Sequence, residues 1–144
     1  MERVFEDYVA VKFKEQLPEH YIQSQVRQHC LLTHTTHGSI VAKKLYQLRP
    51  DLHITFQSRI IIADTKWKLI DENLPSKKYN ISEGDIYQML AYNQSYQKNE
   101  DETSEIWLIY PLSEDFTKRI PDFRFDNGAV IKVIPFDIDN SLLL

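Results

Sequence analysis

The sequence predicts a mixed α/β fold, a mixed sheet with helices packed on it, and three observations carry that prediction. Phe5, Val9, Phe13 and Leu17 recur at four-residue spacing, the stripe of an amphipathic helix. Leu52, Ile54 and Phe56 alternate with polar residues, and Ile60-Ile61-Ile62-Ala63 follows as an apolar run, the patterns of a half-buried and an interior strand. A second helical stripe in Ile86, Met89 and Leu90 precedes the apolar run IWLIY at 106–110. The order helix, three strands, helix, then two or more strands implies helices covering one mixed sheet. At 144 residues, 42% apolar and 26% charged, the chain reads as a single globular domain over 1–144.

Taken in order, 1–17 is the first helix, with Val4, Tyr8 and Val11 beside the stripe and Pro18 as its stop. Glu6 flanks the stripe, where it can face solvent or lean into a neighbouring site. Residues 21–32 read as one strand containing the single Cys30, which excludes an internal disulfide and a cysteine-rich zinc site. The stretch 33–39, THTTHGS, is a loop in which His34 and His37 are exposed. The central hairpin then extends backwards through Val41 and Leu45. Residues 71–80 form a loop marked by Pro75; Ser82 fits an N-cap, with Asp85 as its acidic partner, for a helix to about Gln97. An acidic surface loop spans 99–105, a polar connection runs through Arg124, and Asp126-Asn127-Gly128 turns the chain into a last strand over 129–136.

Most of the chemistry sits in 48–68, LRPDLHITFQSRIIIADTKWK. With Gln57-Ser58 at the hairpin tip, Phe56 faces Arg59, and Asp51 falls directly opposite Asp64; a three-residue loop would make that pair diagonal instead. Opposed like charges on one face destabilise a sheet. A divalent cation between them explains the arrangement, because hard ions take oxygen ligands from one or two carboxylates and keep several waters. Lys66, two residues beyond Asp64, shares its face and can reach a scissile phosphate, where anionic charge accumulates in phosphodiester hydrolysis. His53 lies on the face of Asp51, either contacting a phosphate or ordering water there, or simply half-buried. Gln88 and Tyr92, four apart on the second helix, project from one side.

Charge points the same way. The chain has a net charge of −4, against a generic nucleic-acid coat, yet between Lys43 and Lys78 eight basic residues face four acidic ones. Cations concentrated around the carboxylate pair are the footprint of a polyanion site or, equally, a solvated surface. No stretch approaches the ~18–20 apolar residues of a membrane span and no secretory pattern precedes Glu2-Arg3, so the expected setting is cytoplasmic, without a membrane.

These residues, in this order, resemble the PD-(D/E)xK nuclease superfamily: Pro50-Asp51 its first motif, Asp64-Thr65-Lys66 its second, Glu6 its upstream helix acid, and Gln88 with Tyr92 the Gln-x-x-x-Tyr signature of its RecB-like subgroup. The stretches VFEDYV, LRPDLHI, IIADTKWK and DIYQMLAY further resemble the nuclease region of the McrC family, cleavage subunits of modified-cytosine-dependent restriction systems, with Lys68 where that family carries a second lysine.

The resemblance implies a restriction-endonuclease-like αβββαβ core and a metal-dependent endonuclease that defends against foreign DNA. It implies Mg²⁺, with Mn²⁺ as a substitute, held by Asp51, Asp64, the Thr65 carbonyl and Glu6. Lys66 would act on the water or the phosphate, Gln88 and Tyr92 would position it, and Lys68, Tyr92, His53 and Arg49 would contact DNA. It implies an AAA+ GTPase partner of the McrB type and is compatible with a homo-oligomer. Family members are usually longer, with an N-terminal partner-binding region, whereas this chain opens at the nuclease helix. Two alternatives stay open: a RecB-like exonuclease or repair nuclease, and a non-cleaving DNA-binding or subunit-docking module.

Overall fold

The computed structural model of the chain describes residues 1–17, 21–24, 29–57, 59–96 and 103–144. The element order is α1 (Glu2–Gln16), β1 (Tyr21–Ser24), β2 (His29–His34), β3 (Lys43–Leu48), β4 (Leu52–Phe56), β5 (Arg59–Thr65), a kinked 3₁₀ turn (Pro75–Asn80), α2 (Glu83–Tyr96), β6 (Thr103–Pro111), β7 (Ile120–Arg124), β8 (Val130–Asp137) and β9 (Leu142–Leu143). A seven-stranded mixed sheet has the order β1-β4-β5-β6-β8-β7, with β9 on β8, while β2 and β3 form a separate two-stranded ribbon.

The predicted core order is found in that sheet: α1, then β1, β4 and β5 antiparallel, then α2 crossing to β6, which runs parallel to β5. The hairpin register is the one the alternation predicts, with Phe56 opposite Arg59 and Leu52 opposite Ala63. Gln57 takes φ +52 at its tip, the left-handed conformation a tight hairpin turn requires. Ser58, Pro18 and Gln97 lie outside the described residues.

Each face of the sheet carries its own core. Phe5, Val9, Ala10 and Phe13 of α1 pack on Leu52, Ile54, Ile61, Ala63 and Phe136. Met89, Tyr92 and Tyr96 of α2 pack on Ile62, Ile106, Leu108, Ile131 and Val133 of the other face. Val4 and Val11, read as flanking the α1 stripe, are exposed.

Four expectations are corrected. The strand expected over 21–32 is two: β1 joins the main sheet and β2, with Cys30, joins the ribbon. The central hairpin does not extend back through Val41 and Leu45: β3 pairs with β2, and the chain breaks at Arg49-Pro50, where proline supplies no ladder donor. The polar connection contains β7, an edge strand on β8 that accommodates Pro121 across an irregular register. The acidic loop gives way earlier than expected, since Thr103, Ser104 and Glu105 already belong to β6.

Candidate functional site

The β4 and β5 ladder delivers two carboxylates to one end of the sheet. Asp51 precedes β4 and Asp64 lies near the end of β5, each one residue beyond the last pair of the ladder, Leu52 with Ala63. Even-numbered residues of β5 face α2, and the bond from the Lys66 amide to the Ile109 carbonyl, 2.9 Å, keeps the chain extended one residue past the strand. Asp64 and Lys66 therefore share the α2 side.

Asp51 is fastened in place. Its Oδ2 accepts hydrogen bonds from the Thr65 amide and the Thr65 hydroxyl, both at 2.7 Å. Glu6, on α1, shares a hydrogen bond with the same carboxyl, so it leans into the site. Asp64 is 2% exposed. Its Oδ2 lies 2.7 Å from the Lys66 ammonium, but off the line of a directed bond, so this buried oxygen makes a charge contact and has no aligned donor.

Lys66 is held by a relay. Its ammonium donates to Gln88 Oε1 at 2.8 Å, Gln88 Nε2 donates to the Tyr92 hydroxyl at 2.8 Å, and that hydroxyl donates to the Arg49 carbonyl at 3.2 Å. The chain thus returns to the residue before Pro50-Asp51. Burial, then Asp64 and Asp51, raise the Tyr92 phenol well above its ordinary range and keep it a donor.

The electrostatics are those of a site with surplus negative charge. Burial, then the Asp51 charge, pushes Asp64 up to about 7. Burial likewise pushes Asp51 up to about 6, against the Thr65 bonds and with Glu6 adding to the rise. Glu6 is raised as well, by burial first and by the charges of Asp7 and Asp64, against its hydrogen bond with Asp51. Burial alone would lower Lys66, but Asp64, Asp85 and Asp51 hold it above the usual lysine range. It is therefore an ammonium and not a proton acceptor at neutral pH.

Among the described residues no three His, Cys, Asp or Glu side chains form a ready cage. A magnesium ion does not need one. The donor set fits such an ion in its chemistry: hard oxygens only, mutually repelling, one of them a buried carboxylate oxygen without a directed donor.

Asp85 is the residue that sequence reasoning placed wrongly. Its amide does bond Ser82 Oγ at 3.2 Å, the expected cap, but its side chain points inward. It takes Lys68 Nζ at 3.1 and 3.2 Å and the Tyr110 hydroxyl at 3.3 Å, and lies 4.0 Å from Lys66 Nζ. Its spacing from Gln88, Met89 and Tyr92, at three, four and seven residues, was the available signal. Lys68 is accordingly paired with Asp85. Arg49 is exposed near Glu6, and its charge partly offsets the rise there. His53 packs against the Tyr96 ring at 5.6 Å, and burial holds it below the ordinary histidine range.

A family model described as McrBC 5-methylcytosine restriction system component matches residues 1–111. The fold is similar to that of a chain in the solved Thermococcus gammatolerans assembly of McrB AAA+ hexamers with bound McrC, with a TM-score of 0.62 over 98% of this chain at 15% identity. The match covers 29% of that chain, and at such identity the likeness concerns the fold. No curated protein matches. Among the described residues, no helix is long and apolar enough to cross a membrane.

Proposed function

Starting from the fact that this chain belongs to the family of McrBC 5-methylcytosine restriction system components, we propose that it is the DNA-cleaving domain of a McrC-like subunit, a metal-dependent endonuclease of the PD-(D/E)xK type. The observation that carries this reading is the pairing of a half-buried Asp51 and a buried Asp64, mutually repelling, with an ammonium, Lys66, held at 2.7 Å from Asp64. A structural ion pair would need one carboxylate; the second has no counter-charge of its own without a cation.

Asp51, Asp64, the Thr65 carbonyl and Glu6 are the groups that would hold Mg²⁺ or Mn²⁺. When bound, such an ion supplies Lewis-acid activation of water and neutralises phosphate charge. The chain's own residues do the rest. Thr65 fixes the Asp51 carboxylate with two hydrogen bonds. Lys66 stays protonated and stabilises the charge that grows on the phosphate oxygens during displacement. Gln88 and Tyr92 hold its ammonium over Asp64 and tie α2 to the loop carrying Asp51, so the two sides of the site keep their spacing.

The Thermococcus gammatolerans assembly contains McrB AAA+ hexamers with bound McrC, and we extend that partnership to this chain: an AAA+ GTPase of the McrB type. The test is incubation of closed-circular plasmid with Mg²⁺ or Mn²⁺, with and without such a partner. Nicked or linear product from the wild-type chain, none from Asp64→Ala and far less from Lys66→Ala, is the expected result. Degradation confined to linear DNA would make it an exonuclease, and no cleavage under any of these conditions would make it a non-cleaving module.

A further inference from the structure

The β2 and β3 ribbon is the part of the molecule the site does not use, and its chemistry is unlike the rest. It interrupts the core between β1 and β4, and its root is tied to the body. Leu48 is buried, and the His29 ring meets the Tyr96 ring at a tilt, with centroids 4.2 Å apart. Beyond the root, Leu31, Leu32, Leu45 and Tyr46 are exposed, as is Val41 in the connecting loop, where Ile40 is fully exposed. A hairpin that served only to close the chain has no reason to hold so much apolar surface in water.

Charge identifies what this surface meets. The chain has 21 acidic residues, yet none falls between His20 and Pro50. That segment contains Arg27, Lys43, Lys44 and Arg49 and four of the five histidines, a net +4 that leaves the remainder at −8. Lys43 stands opposite His34 and Lys44 opposite Thr33, so the two lysines project from opposite faces of the ribbon near its tip. No carboxylate on the ribbon neutralises them. Beside a remainder of net −8, an acid-free, two-sided basic arm is a place where a polyanion meets no carboxylate.

Position links the arm to the chemistry. β3 runs into Arg49-Pro50-Asp51, and the Arg49 carbonyl is the terminus of the relay from Lys66. The ribbon's root is thus continuous with the loop that carries Asp51.

We propose that the β2 and β3 ribbon is a double-stranded DNA arm that grips the substrate beside the carboxylate site, with Lys43 and Lys44 on phosphates and Ile40-Val41 against the apolar sugar and base edges of a groove. A two-stranded ribbon fits the major groove, and exposed aliphatic side chains at such tips pack into grooves or between base steps. This deepens the nuclease reading by naming the element that holds its substrate.

The test is fluorescence anisotropy of a labelled 30-base-pair duplex with the 144-residue chain in EDTA, so that binding is read without cleavage, across about 50 to 200 mM salt. Lys43→Ala with Lys44→Ala should weaken binding at least about tenfold and flatten the log–log salt slope by about 1.8, the loss of two phosphate contacts. Ile40→Ser with Val41→Ser, at exposed positions, should weaken binding several-fold and leave that slope unchanged. Wild-type affinity and slope in the lysine variant would overturn the proposal. So would a wild type that fails to bind duplex, or ribbon variants that change only the oligomeric state by light scattering, which would make the arm a contact between copies. Plasmid nicking separates the two readings. Nicking by wild type alongside unaltered duplex binding by the lysine variant removes the arm and leaves the nuclease. Arm-dependent binding without nicking in Mg²⁺ or Mn²⁺ does the reverse.

Discussion

The two faces of the central sheet solve different problems. Against α1, aromatic rings interlock: Phe5 meets Phe136 edge-on at 6.2 Å, and Phe13 meets Trp107 at 6.3 Å. Such packing is favourable without any polar partner. On the other face Asp64, Lys66 and Tyr110 from the sheet side meet Asp85 and Gln88 of α2, and each side chain depends on the placement of the next. Burial there raises Asp64, Asp51 and Tyr110 away from their charged forms. The difference teaches that α1 holds the sheet together and α2 holds the chemistry in place, with Glu6 as α1's one contribution to the site.

Substitutions should separate the faces. The largest effect is expected in cleavage: Asp64→Ala should reduce plasmid nicking to background and Lys66→Ala should lower it about 10²–10³-fold, both with retained secondary structure by circular dichroism. A site variant that loses activity only by unfolding would erase the distinction. Next, Phe13→Ala should cost about 3–5 kcal/mol in urea unfolding and leave nicking per folded molecule unchanged. A parallel fall in specific activity would show that the α1 face shapes the site.

The pH response sharpens the comparison further. A carboxyl raised by folding stabilises the protein fully below its unfolded pKa, and that contribution is lost as pH rises through the folded value. For Asp64, raised to about 7, the window runs from about pH 4 upward to 7. His53, held low by burial, acts in the opposite sense, losing stability as pH falls. The informative quantity is therefore the difference between wild type and Asp64→Asn. In EDTA melts, the wild type should gain on the variant as pH drops from about 8 to 5, and Mg²⁺ should raise the wild-type Tm more at pH 8 than at pH 5. A pH-independent difference would mean that Asp64 is not raised. The smallest effect belongs to Ser82→Ala, which removes the α2 cap and should cost about 1 kcal/mol by urea titration.

Much of this arrangement was legible because local rules determined it. Alternation in 52–56 and the apolar run at 60–63 fixed which residues face which core, and with the hairpin tip the register up to Leu52 opposite Ala63. Ser82 announced α2 through its capping oxygen. What was not legible came from tertiary choice. Residues 21–32 are polar with spaced apolar residues, a pattern that reads as one strand and does not tell that β1 and β2 belong to different sheets. The break at Arg49-Pro50 had a signal, a proline inside an extended run, that was outweighed by the pattern around it. Asp85 looked like an ordinary first-turn acid, because its partners Lys68 and Tyr110 lie 17 and 25 residues away. Tyr96 gave no warning that it would seat both His29 and His53.

Calorimetric titration of Mn²⁺ into the chain addresses the carboxylate pair most directly. Wild type and Lys66→Ala should bind the ion, whereas Asp51→Ala and Asp64→Ala should lose it. Equal affinity in all four proteins, or no binding by the wild type, would contradict the account.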